Sequence, residues 1–152
     1  MRAPPHGRDL RKGRVSERGR TYVVTTVTHR RERLFTDLYA GRQVADCLRQ
    51  AHTDGQCESL AWVLMPDHLH WLFVLEGMAL SDLIRQVKSR SAIAVNRMLN
   101  RQGPVWQAGF HDHAIRAEED LRSVARYIVA NPLRAGLVQR IGDYPLWDAV
   151  WL

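Results

Sequence analysis

Lysine is almost missing from this chain. Of 22 basic residues only Lys12 and Lys88 are lysine, and the rest are arginine. The planar guanidinium fork suits phosphate, although genome composition produces the same bias. Cysteine is nearly as scarce. Cys47 and Cys57 could form one pair at most, so no disulfide framework is encoded and a reducing cytoplasm is the expected compartment. No apolar run approaches the roughly 20 residues that span a bilayer. The longest are Leu60–Met65 and Trp71–Leu75. The N-terminus lacks the apolar core of a secretory signal, and no internal repeat is visible.

What is there is enough for one domain with a core: 152 residues, 45% hydrophobic and 25% charged. The net charge is +6, and it is unevenly placed. Residues 1–20 carry seven basic side chains, Arg14, Arg18 and Arg20 among them, against Asp9 and Glu17, for a local charge of +5. The other 132 residues contribute +1. With Pro4, Pro5 and three glycines, residues 1–20 read as a flexible basic tail, and 21–152 as a single domain. Such an arm either reaches nucleic-acid phosphates or is a solvated leader.

The body alternates strand and helix patterns. Thr21–Thr28 (TYVVTTVT) is dense in β-branched residues. Asp37 opens a helical stretch to about Ala51, with Leu38, Val44, Ala45 and Leu48 on one face. Leu60–Met65 and His68–Leu75 flank the Pro66-Asp67 turn signal and predict a hairpin. Ser81 reads as the N-cap of a long helix reaching Asn100. A fourth strand is expected within Val105–Ile115. A last helix is expected over Glu118–Ala130, with acids in its first turn, ended by Pro132. The order β-α-β-β-α-β-α is the split βαβ, ferredoxin-like α+β pattern: an antiparallel sheet with helices on one face, plus an added C-terminal helix.

Within this frame a few residues carry chemistry. His68 and His70 are two apart on a strand and face one side, while Leu69, Trp71 and Phe73 face the other. Such a pair can hold a metal ion, or be two half-buried histidines satisfied by neighbours. Tyr127 and Asn131 share one row of the last helix. A boundary tyrosine and a helix C-cap are the plain alternatives. A phenol has a pKa of about 10 and needs a metal-polarised phosphate to act as a nucleophile. An amide oxygen from Asn131 would complete a ligand set with the imidazoles. Two imidazoles, one amide oxygen and water suit Mg²⁺ or Mn²⁺, Mn²⁺ being favoured by nitrogen donors. His111-Asp112-His113 is a second His-x-His, and a rival zinc site would join His68, His70, His111 and His113. Arg30, Arg31, Lys88, Arg90 and Arg134 are candidate phosphate contacts or plain surface charges. Trp106, beside a loop, is the best candidate to stack on an unpaired base. Trp62 and Trp71 suit the core, and Trp147 and Trp151 suit packing of the C-terminal end.

At these residues the chain resembles the REP-associated tyrosine transposases, a bacterial branch of the single-tyrosine HUH nuclease superfamily. The resemblance covers about residues 20–148. It rests on YVVTTVTHRRERLF at 22–35, AWVLMPDHLHWLFVL at 61–75, GPVWQAGFHDHAIR at 103–116 and YIVANPLRAGLV at 127–138. His68, Leu69 and His70 occupy the His-hydrophobic-His motif, Tyr127 the nucleophile position and Asn131 an amide position. The resemblance implies the ferredoxin-like fold. It implies metal-dependent attack of the tyrosine on a phosphate of single-stranded DNA, giving a 5′-phosphotyrosine and a free 3′-hydroxyl, so that resealing needs no ATP. The implied substrates are palindromic repeats folded as hairpins, and the implied setting is the bacterial cytoplasm near the nucleoid. A monomer is expected, although autonomous relatives are dimers. Relatives place the tyrosine helix flexibly.

Two other readings compete. A domesticated, non-catalytic DNA-binding module would be expected to have lost one of Tyr127, His68, His70 or Asn131. A histidine-triad nucleotide hydrolase needs a third alternating histidine where Leu72 stands. The aromatic strand motif of RNA-binding ferredoxin-like domains is absent.

Overall fold

The computed structural model describes residues 19–116 and 119–151. The basic tail, with Arg14 and Arg18, lies outside the described residues. Strand β1, Thr21–Val27, buries alternate residues, with Tyr22, Val24 and Thr26 facing inward. Helix α1 spans Leu38–Thr53 and starts where the Asp37 carboxylate accepts the Ala40 N–H. Strands β2, Cys57–Met65, and β3, His68–Leu75, form the hairpin expected from Pro66-Asp67. Their register pairs Met65 with His68 and slips once, between Ser59 and Ala61. Helix α2 covers Leu80–Leu99 and β4 covers His111–Ala114. Helix α3 covers Leu121–Val129, and the single turn α4 covers Asn131–Arg134. Strand β5 is Trp147–Ala149.

The sheet is antiparallel with order β4-β1-β3-β2-β5. The first four strands keep the expected ferredoxin-like order. One face is closed by α1 and α2, whose Val44, Leu48, Leu83, Ile84, Val87 and Val95 pack on Val24, Leu69, Trp71 and Phe73. The opposite face receives α3, through Ala125, Ile128 and Val129 on Leu60, Ala61, Val63, Met65 and Leu72. The last helix therefore covers the β2–β5 half of that face.

Several sequence expectations shift. Helix α2 is capped at Ala79, two residues before Ser81, because Ala79 C=O already accepts the Leu83 N–H. Helix α3 begins at Leu121, since Asp120 turns into an extended cap that accepts the Arg122 N–H; no acid lies in its first turn. The tyrosine helix ends at Val129, just before Pro132 as expected, so Asn131 lies beyond it and does not share its row with Tyr127. Ala130 separates α3 from the proline-bearing turn α4. Strand β4 is confined to four residues. The C-terminal end packs on the body, as expected, but it does so as a fifth strand on β2, which three residues cannot signal by alternation. Arg20 also joins the ladder, its carbonyl accepting the Leu75 N–H. The two cysteines are unpaired. Burial first, and then Glu76, pushes the Cys57 thiol up to about 12, so it is no nucleophile. Among the described residues no helix is long and apolar enough to cross a membrane.

Candidate active site on the half-open sheet face

His68 and His70 project from β3 toward the side of α3, with Leu72 next in their row. Their rings meet edge to face, with centroids 4.8 Å apart. Each ring is held through Nδ1. Asp67 Oδ1 lies 2.7 Å from His68 Nδ1, and Thr25 Oγ1 lies 2.8 Å from His70 Nδ1. An ionised Asp67 can only accept, so His68 carries its proton on Nδ1 and turns the lone pair of Nε2 outward. The same holds at His70 when Thr25 accepts. A carboxylate behind a ligating histidine fixes ring orientation and raises basicity.

Asp67 is itself built into the fold. Its backbone carbonyl accepts the Thr28 N–H and hydroxyl at 2.9 and 3.1 Å. Arg31 donates to its Oδ2 at 3.2 Å. Burial alone would raise this carboxyl, but the hydrogen bonds from His68 and Arg31 hold it below the ordinary range. Arg30 and Arg31 both adopt left-handed backbone, at φ 56 and 54°. For non-glycine residues that conformation is disfavoured, and it presents Arg31 to Asp67. The sequence reading saw Asp67 only as a turn and passed over Thr25. The signal for Asp67 was its place directly before the first histidine. The signal for Thr25 exists only once β1 and β3 are paired, where it stands opposite His70.

Burial, then the charges of His68 and Arg134, lower the His70 imidazole to about 4. His70 is thus neutral at physiological pH, as a metal ligand must be. Asn131 is half-buried, and its Nδ2 donates to Ile128 C=O at 2.9 Å, which leaves the amide oxygen as its remaining polar group. Tyr127 is 67% exposed on α3. The Arg134 guanidinium carbon lies 3.9 Å from the centroid of its ring. Arg134 thereby neighbours both Tyr127 and His70.

The rival four-histidine zinc site is not assembled. Thr25 on β1 stands between His70 and His111, and His113 is turned to Glu119 at 3.2 Å. Among the described residues no three His, Cys, Asp or Glu side chains cluster to hold a metal. Trp106 is corrected too. It is 7% exposed, packs on Phe35, and its indole N–H donates to Ser91 Oγ at 2.9 Å. A ring committed on face and edge cannot stack on a base. The Lys88 ammonium donates to the carbonyls of Gln107 and Gly109 at 2.5 and 2.6 Å, so it braces the loop before β4. Arg90 lies exposed on the outer side of α2, beside a shallow groove with Arg85 and Ser89.

A strand-borne histidine pair, oriented from behind and flanked by a tyrosine helix on the other half of the face, fits a nucleic-acid strand-transfer fold. The chain belongs to the IS200-like transposase family, whose model matches residues 18–131. Among its relatives is the REP-associated tyrosine transposase of Escherichia coli K12, 30% identical over 129 residues, which cover 84% of this chain and 74% of the relative. A candidate REP-associated tyrosine transposase of Haemophilus influenzae is 27% identical over 139 residues, covering 84% and 78%. The fold matches a REP-associated tyrosine transposase solved bound to a REP hairpin, with TM-score 0.71, 29% identity, and coverage of 88% of this chain and 79% of that one. A transposase candidate from Deinococcus radiodurans shares the fold at TM-score 0.55 and 20% identity, covering 89% and 98%.

Proposed function

We propose that this transposase nicks and rejoins single-stranded DNA beside palindromic hairpins, with Tyr127 as the nucleophile. The observation that carries this reading is the histidine pair, held through both Nδ1 atoms, with Tyr127 tied to its surroundings by Arg134. Similarity to a transposase solved on a REP hairpin supports hairpin DNA as the partner.

In the reaction the Tyr127 hydroxyl oxygen forms a bond to the scissile phosphorus and loses its proton. The bond from phosphorus to the 3′ oxygen breaks, and that oxygen takes up a proton. The phosphate remains on the 5′ end as a phosphotyrosine, and a 3′-hydroxyl is released. Bond energy is conserved, so a 3′-hydroxyl can reverse the step without ATP. His68 and His70 Nε2 and the Asn131 amide oxygen would hold a divalent ion, Mn²⁺ or Mg²⁺. The donor set fits: two imidazoles and an amide oxygen leave water positions open. Such an ion supplies Lewis-acid polarisation of the phosphate oxygens. We place the protein as a monomer. Arg30 and Arg31 would meet DNA phosphates at the edge of the site, with Arg14, Arg18 and Arg20 reaching the hairpin.

The test is covalent trapping. The protein is mixed with a labelled single-stranded hairpin oligonucleotide, taken from palindromic repeats beside its own gene, in Mn²⁺ or Mg²⁺, and run on a denaturing gel. An adduct is expected, and it should vanish with EDTA, His68→Ala or Tyr127→Phe. Hairpin binding without an adduct, across both metals and several flanking sequences, would replace this reading with a non-catalytic DNA-binding module.

A further inference from the structure

The short turn after Pro132 carries a cation with an unusual placement. Arg134 lies outside the tyrosine helix, one turn past Asn131, yet its guanidinium returns to stack at 3.9 Å over the Tyr127 ring. It is exposed, and its guanidinium carbon sits over that ring. Pro132 is buried. The Leu133 and Arg134 N–H groups both bond the Ala130 carbonyl. The turn that aims Arg134 is therefore fixed at its base. A stacked guanidinium presents its N–H fork around the rim of the ring, where the phenol oxygen lies.

We propose that Arg134 joins the nucleophile to the scissile phosphate: its guanidinium face holds the Tyr127 ring in orientation, and its N–H fork grips a non-bridging oxygen of the phosphate under attack. The inference rests on the strand-transfer reading above and adds a residue to it. During attack, negative charge accumulates on the non-bridging oxygens. A fixed guanidinium beside them stabilises the five-coordinate arrangement more than the starting diester. Arg134 neither gains nor loses a proton. Tyr127 Oη bonds to phosphorus, the 3′ oxygen leaves, and the guanidinium only balances charge. The same stack gives the exposed tyrosine a defined orientation before DNA arrives.

Two measurements test this. In the first, all four tyrosines are replaced with 3-fluorotyrosine, and the Tyr127 ¹⁹F resonance is identified by its loss in Tyr127→Phe. Arg134→Ala should move that resonance and leave the other three in place. In the second, single-turnover adduct formation is measured on a hairpin oligonucleotide and on the same oligonucleotide with a neutral methylphosphonate at the scissile position. Arg134→Ala should slow the phosphate reaction by about 10²–10³-fold with no comparable loss of hairpin affinity. Its defect should shrink on the methylphosphonate, and millimolar methylguanidinium should restore part of the rate. Arg134→Lys, which keeps charge without the fork, should fall between. An unmoved resonance, or equal defects on both substrates, overturns the proposal. If the wild type forms no adduct in either metal, the strand-transfer reading is what fails. The fluorine resonance then still judges the stack, and an unmoved one overturns it.

Discussion

Strand β3 has two faces, and they differ in what they are built from. On one side Leu69, Trp71, Phe73 and Leu75 are essentially sealed beneath α1 and α2. On the other, His68 and His70 lie half-buried, because α3 packs mainly over β2 and β5 and meets β3 at Leu72. Alternation assigns consecutive residues to opposite solvents. One short strand thus anchors the fold through its odd-numbered residues and presents His68 and His70, the proposed metal ligands, from even-numbered ones. The rigid face makes the other precise. Side chains on a packed strand cannot drift, whereas a loop would let them.

This division should be separable by mutation. Tyr127→Phe removes one exposed oxygen and should abolish the covalent DNA adduct. Its thermal midpoint should stay near that of the wild type, since the ring keeps its stack with Arg134. Trp71→Ala should do the reverse. Trp71 is 0% exposed, packs against Phe73 with ring centroids 4.4 Å apart and donates to Ser59 Oγ at 3.0 Å. Truncation should cost about 3–5 kcal/mol of stability, read by denaturant unfolding. The adduct per folded molecule should survive. If the folded fraction of Trp71→Ala lost the adduct as completely as Tyr127→Phe, the two faces would not be independent.

A smaller effect is expected one step behind the histidine pair. Asp67→Ala frees the His68 ring and unpairs Arg31. Removing such an outer partner costs about 10–100-fold in metal affinity, measurable by Mn²⁺ titration with calorimetry. Asp67→Asn keeps a hydrogen-bond acceptor without the charge and should fall between wild type and alanine. An Asp67→Ala protein with unchanged Mn²⁺ affinity would mean that His68 is oriented by something else.

The two faces were not equally legible in the sequence. The sealed face was read almost completely, because Leu69, Trp71 and Phe73 state the strand period and helix stripes state theirs. The histidine pair was readable for the same reason. What escaped were features set by tertiary pairing. Thr25 supports His70 only through the β1–β3 register. Trp106 looked like a loop residue, yet it is drawn inward by an isolated bridge to Thr28 and by the buried Ser91 hydroxyl. Strand β5 is three residues long and takes its partner from β2. His111 and His113 matched the motif spacing of His68 and His70, but an edge strand displaced by β1 sends them elsewhere. Local spacing names candidate ligands, and register decides which of them meet.

The gentlest probe is pH. His70 is lowered to about 4 in the folded chain, against about 6.5 for an unfolded histidine. Between those values the unfolded chain binds the proton first, so stability rises with pH across the window. For this group the metal-free protein should be at full stability above pH 6.5. It should weaken as the pH falls toward 4, with a slope of at most about 1.4 kcal/mol per pH unit for one proton. Asp67 is lowered as well, so its contribution has the same sign, but it is lost only as the pH falls below the ordinary carboxylate range. Urea unfolding in EDTA from pH 7 to 4, wild type beside His70→Gln, isolates the imidazole. The variant should show a flatter profile through the window, while Trp71→Ala should run parallel to wild type at a lower level. Identical slopes in wild type and His70→Gln would mean that the half-open face admits enough water to solvate a charged His70, and that the contrast between the two sides of β3 is smaller than their packing suggests.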